Sequence, residues 1–331
     1  MISKKLRPYI FTLVVLFIGL GMKAQDPHFS QFYANPLYLN PAFAGAKVCP
    51  RVVTNYRNQW PAIPGSYVTY NASFDMHVDA LGGGLGVLVT ADRAGQGVLT
   101  TQTVSLIYAV RIRLSRTWFL KAGLQAGFFQ KNLDWDKLTF GDQIDSKWGF
   151  SNNTAEKRPV NGKYNIMDVD FSGGFLVYND RFFGGVAVHH MVPVNVSLTE
   201  GESYLPMKIT THAGYMIPLV KHKRLRPSDP TISPNIVFMS QGPFNQLNYG
   251  AYFKKAPMIF GIWYRQFFEG SDAIILQAGF EYDKFKFGYS YDITVSKLAS
   301  ASGGAHEFSF ALDFNCPIKR RKMHEINCPS F

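Results

Sequence analysis

Residues 306–314 alternate without a slip. Phe308, Phe310, Leu312 and Phe314 share one face, and Glu307, Ser309, Ala311 and Asp313 share the other. Successive side chains of a strand point to opposite sides, so this strand lies between an apolar and a polar medium. The pattern recurs. Val104, Leu106, Tyr108, Val110 and Ile112 oppose Thr103, Ser105, Arg111 and Arg113. Phe285, Phe287, Tyr289, Tyr291 and Ile293 oppose Lys284, Lys286, Gly288, Ser290 and Asp292. Small and charged residues opposite a Phe/Tyr face do not suit a soluble core. They suit a transmembrane barrel, whose outside meets lipid and whose lumen is wet.

Fourteen strands are predicted, at 51–59, 65–76, 83–92, 98–113, 116–131, 164–178, 181–191, 207–221, 231–240, 244–254, 258–267, 272–283, 285–295 and 305–315. About ten residues take a tilted strand across a bilayer. Tight turns are expected at 114–115, 179–180, 256–257 and 284, and long connections at 132–163, 192–206, 223–230 and 296–304. If both ends of the barrel are periplasmic, 132–163, 192–206 and 296–304 become outside loops, and 223–230 is a misfit. A propeller would show a blade-length repeat, and none is visible. The predicted fold is all-β: an antiparallel outer-membrane β-barrel of about 14 strands over residues 51–315.

Residues 1–24 have a basic start (Lys4, Lys5, Arg7), an apolar run and then Gly21-Met22-Lys23-Ala24. This is the layout of a signal peptide cut after Ala24. The other possibility is a permanent anchor helix. Residues 25–50 carry Pro27, Pro36, Pro41 and Pro50 with no sustained period, and are expected to form an irregular periplasmic lead-in. Residues 316–331 form a basic periplasmic tail. The net charge of +11 includes the leader and the run Lys319-Arg320-Arg321-Lys322. An exported chain rarely meets nucleic acid, so that run points to an anionic membrane surface or an acidic partner.

Each of Cys49, Cys316 and Cys328 precedes a proline. In an oxidising compartment Cys316 and Cys328 could pair and close the basic tail into a loop; three thiols leave other pairings open. No zinc spacing is present. His189 and His190 are expected on opposite strand faces at a rim, unable to share a metal. Asp168, Asp170, Glu281 and Asp283 are expected in the lumen beside Arg111, Lys121 and Arg265, as charge pairs filling the barrel. Gly82-Gly-Gly-Leu-Gly86 lacks the Lys-Ser/Thr of a phosphate loop, and no Gly-x-Ser-x-Gly elbow occurs. No catalytic residue, metal or cofactor is assigned. A hydrolase would need a rim Ser or His with a base or calcium.

The lead-in Gln25-Asp-Pro-His-Phe-Ser-Gln-Phe-Tyr-Ala-Asn-Pro-Leu-Tyr-Leu-Asn-Pro-Ala-Phe-Ala-Gly45 resembles the opening of the PorP/SprF family, membrane components of the type IX secretion system of Bacteroidota. The resemblance continues through Tyr56-Arg-Asn-Gln-Trp60, Ser73-Phe-Asp75, Gly303-Gly-Ala-His-Glu-Phe-Ser-Phe310 and Ile326-Asn-Cys-Pro-Ser-Phe331. It implies an outer-membrane barrel serving secretion or surface anchoring of a large protein with a type IX C-terminal signal, such as a gliding adhesin. It also implies periplasmic secretion-machinery subunits as partners, and no catalytic residues. On that reading Trp135, Trp148 and Phe150 would face the client, and Lys319, Arg320, Arg321 and Lys322 a periplasmic partner. The competing function is a channel or transporter for hydrophobic small molecules, with residues 25–50 as a plug.

Overall fold

The structure, a computed structural model, describes residues 25–47, 49–145, 147–150, 154, 164–198, 202–220, 229–268, 270–296 and 302–315. Fourteen antiparallel strands close into one barrel. They are β1 (Arg51–Gln59), β2 (Tyr67–Val78), β3 (Gly83–Ala94), β4 (Leu99–Arg113), β5 (Phe119–Leu133), β6 (Asn165–Tyr178) and β7 (Phe182–His189), then β8 (Lys208–Tyr215), β9 (Thr231–Gln241), β10 (Phe244–Lys255), β11 (Met258–Phe267), β12 (Gly270–Tyr282), β13 (Phe285–Thr294) and β14 (Ala305–Asp313). Each pairs with its sequence neighbours, and β14 returns to β1 with Arg51 opposite Asp313. Closure leaves no edge, which a strand must avoid in lipid.

The distribution of side chains is inside-out relative to a soluble protein. Arg57, Asn71, Ser73, Asn248 and Ser290 are buried in the interior. Leu106, Leu124, Phe128, Phe175 and Ile262 stand exposed on the outer wall. Such a continuous apolar surface is far beyond what a water-soluble monomer carries. No helix among the described residues is long and apolar enough to cross a membrane.

Strand existence follows the alternation, while two ends do not. β7 stops at His189 because His190 takes φ +55°, a left-handed conformation that His adopts more readily than most side chains. β8 breaks after Tyr215, opposite Pro234 of β9, which has no N–H for the ladder. On the β7 side the Met216 N–H donates to the Arg181 carbonyl at 2.7 Å.

Residues 25–47 do not form a periplasmic lead-in. They fold inside the barrel, running from the rim beside Gln241 and His190 (the loop rim) to the rim where β1 begins (the turn rim). Two short 3-10 turns, Phe32–Ala34 and Pro41–Phe43, flank the helical turn Pro36–Leu39. Pro36 and Pro41, which forbid a long helix, start the second and third of these turns, where a missing N–H costs nothing. The lumen is also less polar than alternation suggests: Phe183, Val237, Tyr252, Ile259, Trp263 and Ile275 point inward. With Phe32, Tyr33, Leu37, Leu39 and Phe43 they form a buried core. An irregular segment is tolerated at membrane depth only where protein surrounds it, as here.

Candidate functional site

The plug is the candidate site, and it is fixed at three levels. In the middle, the Ser30 Oγ–H donates to Asp292 Oδ2 at 2.6 Å. The Ser30 and Gln31 N–H groups donate to the two Glu307 carboxylate oxygens, at 2.7 and 3.1 Å. Arg57 bridges both acids, with Nη2 2.9 Å from Asp292 Oδ2 and Nη1 3.2 Å from Glu307 Oε2. Arg265 reaches Asp292 at 3.0 Å and Asp272 at 2.5 Å. Gln277 donates to the Ser30 carbonyl at 2.7 Å, and Ser309 to Gln31 Oε1 at 2.6 Å. Lone charges could not persist at this depth; the paired, hydrogen-bonded set can. His28 approaches Arg57, with 3.5 Å between the nitrogens.

At the loop rim, His190 links two carboxylates: Nε2 lies 2.8 Å from Asp26 Oδ2 and Nδ1 3.0 Å from Asp170 Oδ1. With both nitrogens facing acceptors the ring is an imidazolium. Burial opposes that charge, but Asp26 and Asp170 outweigh it and raise the His190 pKa to about 10. Burial likewise opposes the Asp26 carboxylate, yet His190 and Lys208 hold its pKa well below the usual range. Lys208 Nζ lies 3.5 Å from Asp26 and 4.9 Å over the Tyr38 ring.

At the turn rim, Asn40 Oδ1 accepts from the Ala42 N–H at 2.9 Å, while its Nδ2 donates to the Phe175 carbonyl at 3.1 Å. Lys121 donates to the Ala44 carbonyl at 2.6 Å. Gly45, at φ +59°, brings its N–H 3.0 Å from Asp75, which also holds Arg51. A Cβ on Gly45 would stand 2.5 Å from the Gly84 Cα, so glycine is required twice over. Lys47 closes the exit on Asp313 at 2.5 Å.

The expected site residues separate. Asp170, Lys121 and Arg265 are lumenal as anticipated, but Arg265 pairs with Asp272 and Asp292, and Glu281 with Lys254 and Lys286. His189 and His190 are both buried, because the left-handed His190 ends the alternation that would have put them on opposite faces. No group that could hold a metal is found among the described residues. In the long loop after β5, Trp135 packs on Phe140 and Tyr164, whereas Trp148 and Phe150 are exposed. Cys316, Cys328, Lys319, Arg320, Arg321 and Lys322 lie outside the described residues. Cys49 is disulfide-bonded.

The network was missed because its members look unrelated along the chain. Yet the segments that carry the family resemblance supply part of it: Asp26, Ser30, Gln31, Asn40 and Gly45 from the opening, then Arg57, Asp75, Glu307 and Ser309, while Asp292 and Arg265 lie outside them. A buried Trp263 on a nominally polar strand face was a further signal.

Among solved structures, the chain is similar to the Acinetobacter baumannii outer membrane protein Omp33 at 8% identity and TM-score 0.45, covering 82% of this chain and 100% of that one. It is also similar to a Pseudomonas aeruginosa FadL homologue at 12% identity and TM-score 0.42, covering 86% and 96%. No curated protein matches. The family model for the type IX secretion system membrane protein PorP/SprF matches residues 21–312. The chain therefore belongs to the PorP/SprF family.

Proposed function

We propose that the protein is a closed outer-membrane anchor of the type IX secretion system, not a conduit. It supports secretion or surface anchoring of a large client carrying a type IX C-terminal signal, such as a gliding adhesin. The observation behind this reading is the plug: residues 29–44 are almost entirely buried and are joined to the wall by charged and polar contacts at all three levels. A channel or hydrophobic-molecule transporter needs a continuous route, and a network of this kind is costly to open. An adaptor needs only a stable barrel with two accessible rims.

The loop rim faces outward in this reading, and Trp148 and Phe150 meet the client. Exposed aromatics in a long loop suit a binding surface. The turn rim and the basic run 319–322 face periplasmic machinery subunits. No catalytic step is assigned. The test is affinity purification of the tagged protein from solubilised outer membranes, followed by mass spectrometry. Co-purification of a large surface protein or secretion subunits is expected. Recovery of the barrel alone, with a conductance in planar bilayers, would favour the channel.

A further inference from the structure

The outward side chains of β2–β6 form rows across the ladder. One row reads Ala72, Val89, Val104, Phe128 and Val169; the next toward the turn rim reads Phe74, Val87, Leu106, Ala126 and Phe171. Both are wholly apolar. The row two steps nearer the loop rim reads Val68, Arg93, Thr100, Asn132 and Asn165. Between them the row reads Tyr70, Ala91, Gln102, Gln130 and Met167. The wall thus passes from hydrocarbon-like to polar within about 13 Å, four residues of strand. It remains paired sheet throughout. β4 and β5 are 15 residues long and pair as far as Leu99 opposite Leu133, whereas about ten suffice to cross the bilayer. Next along the sheet, β7 and β8 have 8 residues each and no such ledge.

The ledge is concave. Tyr70, Arg93, Gln102, Gln130, Asn132 and Lys137 line a recess of about 570 Å³ on the outer wall. Arg93 lies 5.9 Å over the Tyr70 ring, which holds the guanidinium at the edge of the apolar band. Asp134 also lines the recess, and Lys137 pairs with it at 3.1 Å. The recess lies where the outward rows turn from apolar to polar, the level expected of lipid headgroups. It offers a guanidinium, carboxamides that donate and accept, and an aromatic ring. That set matches a headgroup with both phosphate and hydroxyls.

We infer that this recess binds the phosphorylated sugar headgroup of an outer-leaflet glycolipid, with the acyl chains against the apolar rows below. The choice of leaflet rests on the outward loop rim proposed above. The lipid would fix the barrel's tilt and rotation on its tall side, where the long loop begins.

The test uses the purified full-length barrel in mild detergent and a bis-phosphorylated lipid A as probe, followed by native mass spectrometry. Arg93→Ala/Gln130→Ala should weaken binding at least about tenfold, the scale of one charge-assisted hydrogen bond. Arg113→Ala, at the turn rim, should leave it unchanged. Dephosphorylated lipid A and inorganic phosphate should each bind at least about tenfold more weakly than the whole headgroup. Equal binding by the double variant and the unaltered protein overturns the site. Equal binding by inorganic phosphate reduces it to an anion site and overturns the glycolipid assignment. A Glu202→Cys variant, exposed at the loop rim and outside the recess, should react with a membrane-impermeant maleimide on intact cells. Failure to react overturns the orientation, and with it the leaflet, whatever the binding shows.

Discussion

The hydroxyl of Ser30, in the plug, donates to the carboxylate of Asp292, in the wall, at 2.6 Å across a separation of 262 residues. The same carboxylate oxygen receives Arg57 and Arg265. One wall acid, held by two wall cations, therefore fixes one plug hydroxyl. The plug is seated by charges the barrel already needs to neutralise.

Arg57→Met should unseat the middle of the plug. It leaves Glu307 without its guanidinium and removes a donor from Ser30. Breaking a buried pair by removing one partner costs about 3–5 kcal/mol. Hydrogen exchange of residues 28–33 should accelerate, and the apparent Tm of the barrel in detergent should fall. Unchanged exchange would mean that aromatic packing alone holds the plug.

Gly84→Val should block seating at the turn rim. A Cβ at residue 84 would lie 2.1 Å from the Ala44 carbonyl oxygen. Neither backbone can move without breaking a sheet ladder or the turn at Ala44, so the cost exceeds the usual 1–3 kcal/mol of overpacking. Protease cleavage between residues 40 and 47 in assembled barrels is the expected result.

The loop-rim junction should weaken in alkali. The His190 pKa is raised from the ordinary 6.5 to about 10, so its stabilisation is complete below about 6.5 and is lost as pH rises through 10. The Asp26 pKa is depressed, so its contribution is present above the ordinary 3.8 and is lost as pH falls below it. Hydrogen-exchange protection factors of residues 26–38, corrected for the intrinsic pH dependence of exchange, should be highest between about pH 4 and 6.5 and lower near pH 10. His190→Gln should abolish most of that alkaline change; a variant that keeps it would assign the effect elsewhere.

The barrel was legible because a period of two needs no long-range knowledge: each strand reports its own two faces. The plug was not, because docking depends on which distant residues meet. Ser30, Arg57, Asp292 and Glu307 lie on four segments, and no local pattern links them. His190 shows the same limit on a smaller scale, since one left-handed residue reversed the face assigned to its side chain. The resemblance pointed to the right segments without saying that they touch.

Trp148→Ala/Phe150→Ala should reduce client recovery on affinity purification severalfold, with barrel assembly and Tm unchanged, since both side chains are exposed. Trp135→Ala should instead loosen the loop, because Trp135 packs on Phe140 and Tyr164. Equal client recovery from all variants would move the contact off this loop.

The most direct measurement is single-channel conductance of the purified full-length barrel in planar bilayers, compared with Arg57→Met. A seated plug predicts no sustained conductance in the unaltered protein and intermittent openings in the variant. A stable open conductance in the unaltered protein would contradict the closed anchor and make the barrel a conduit.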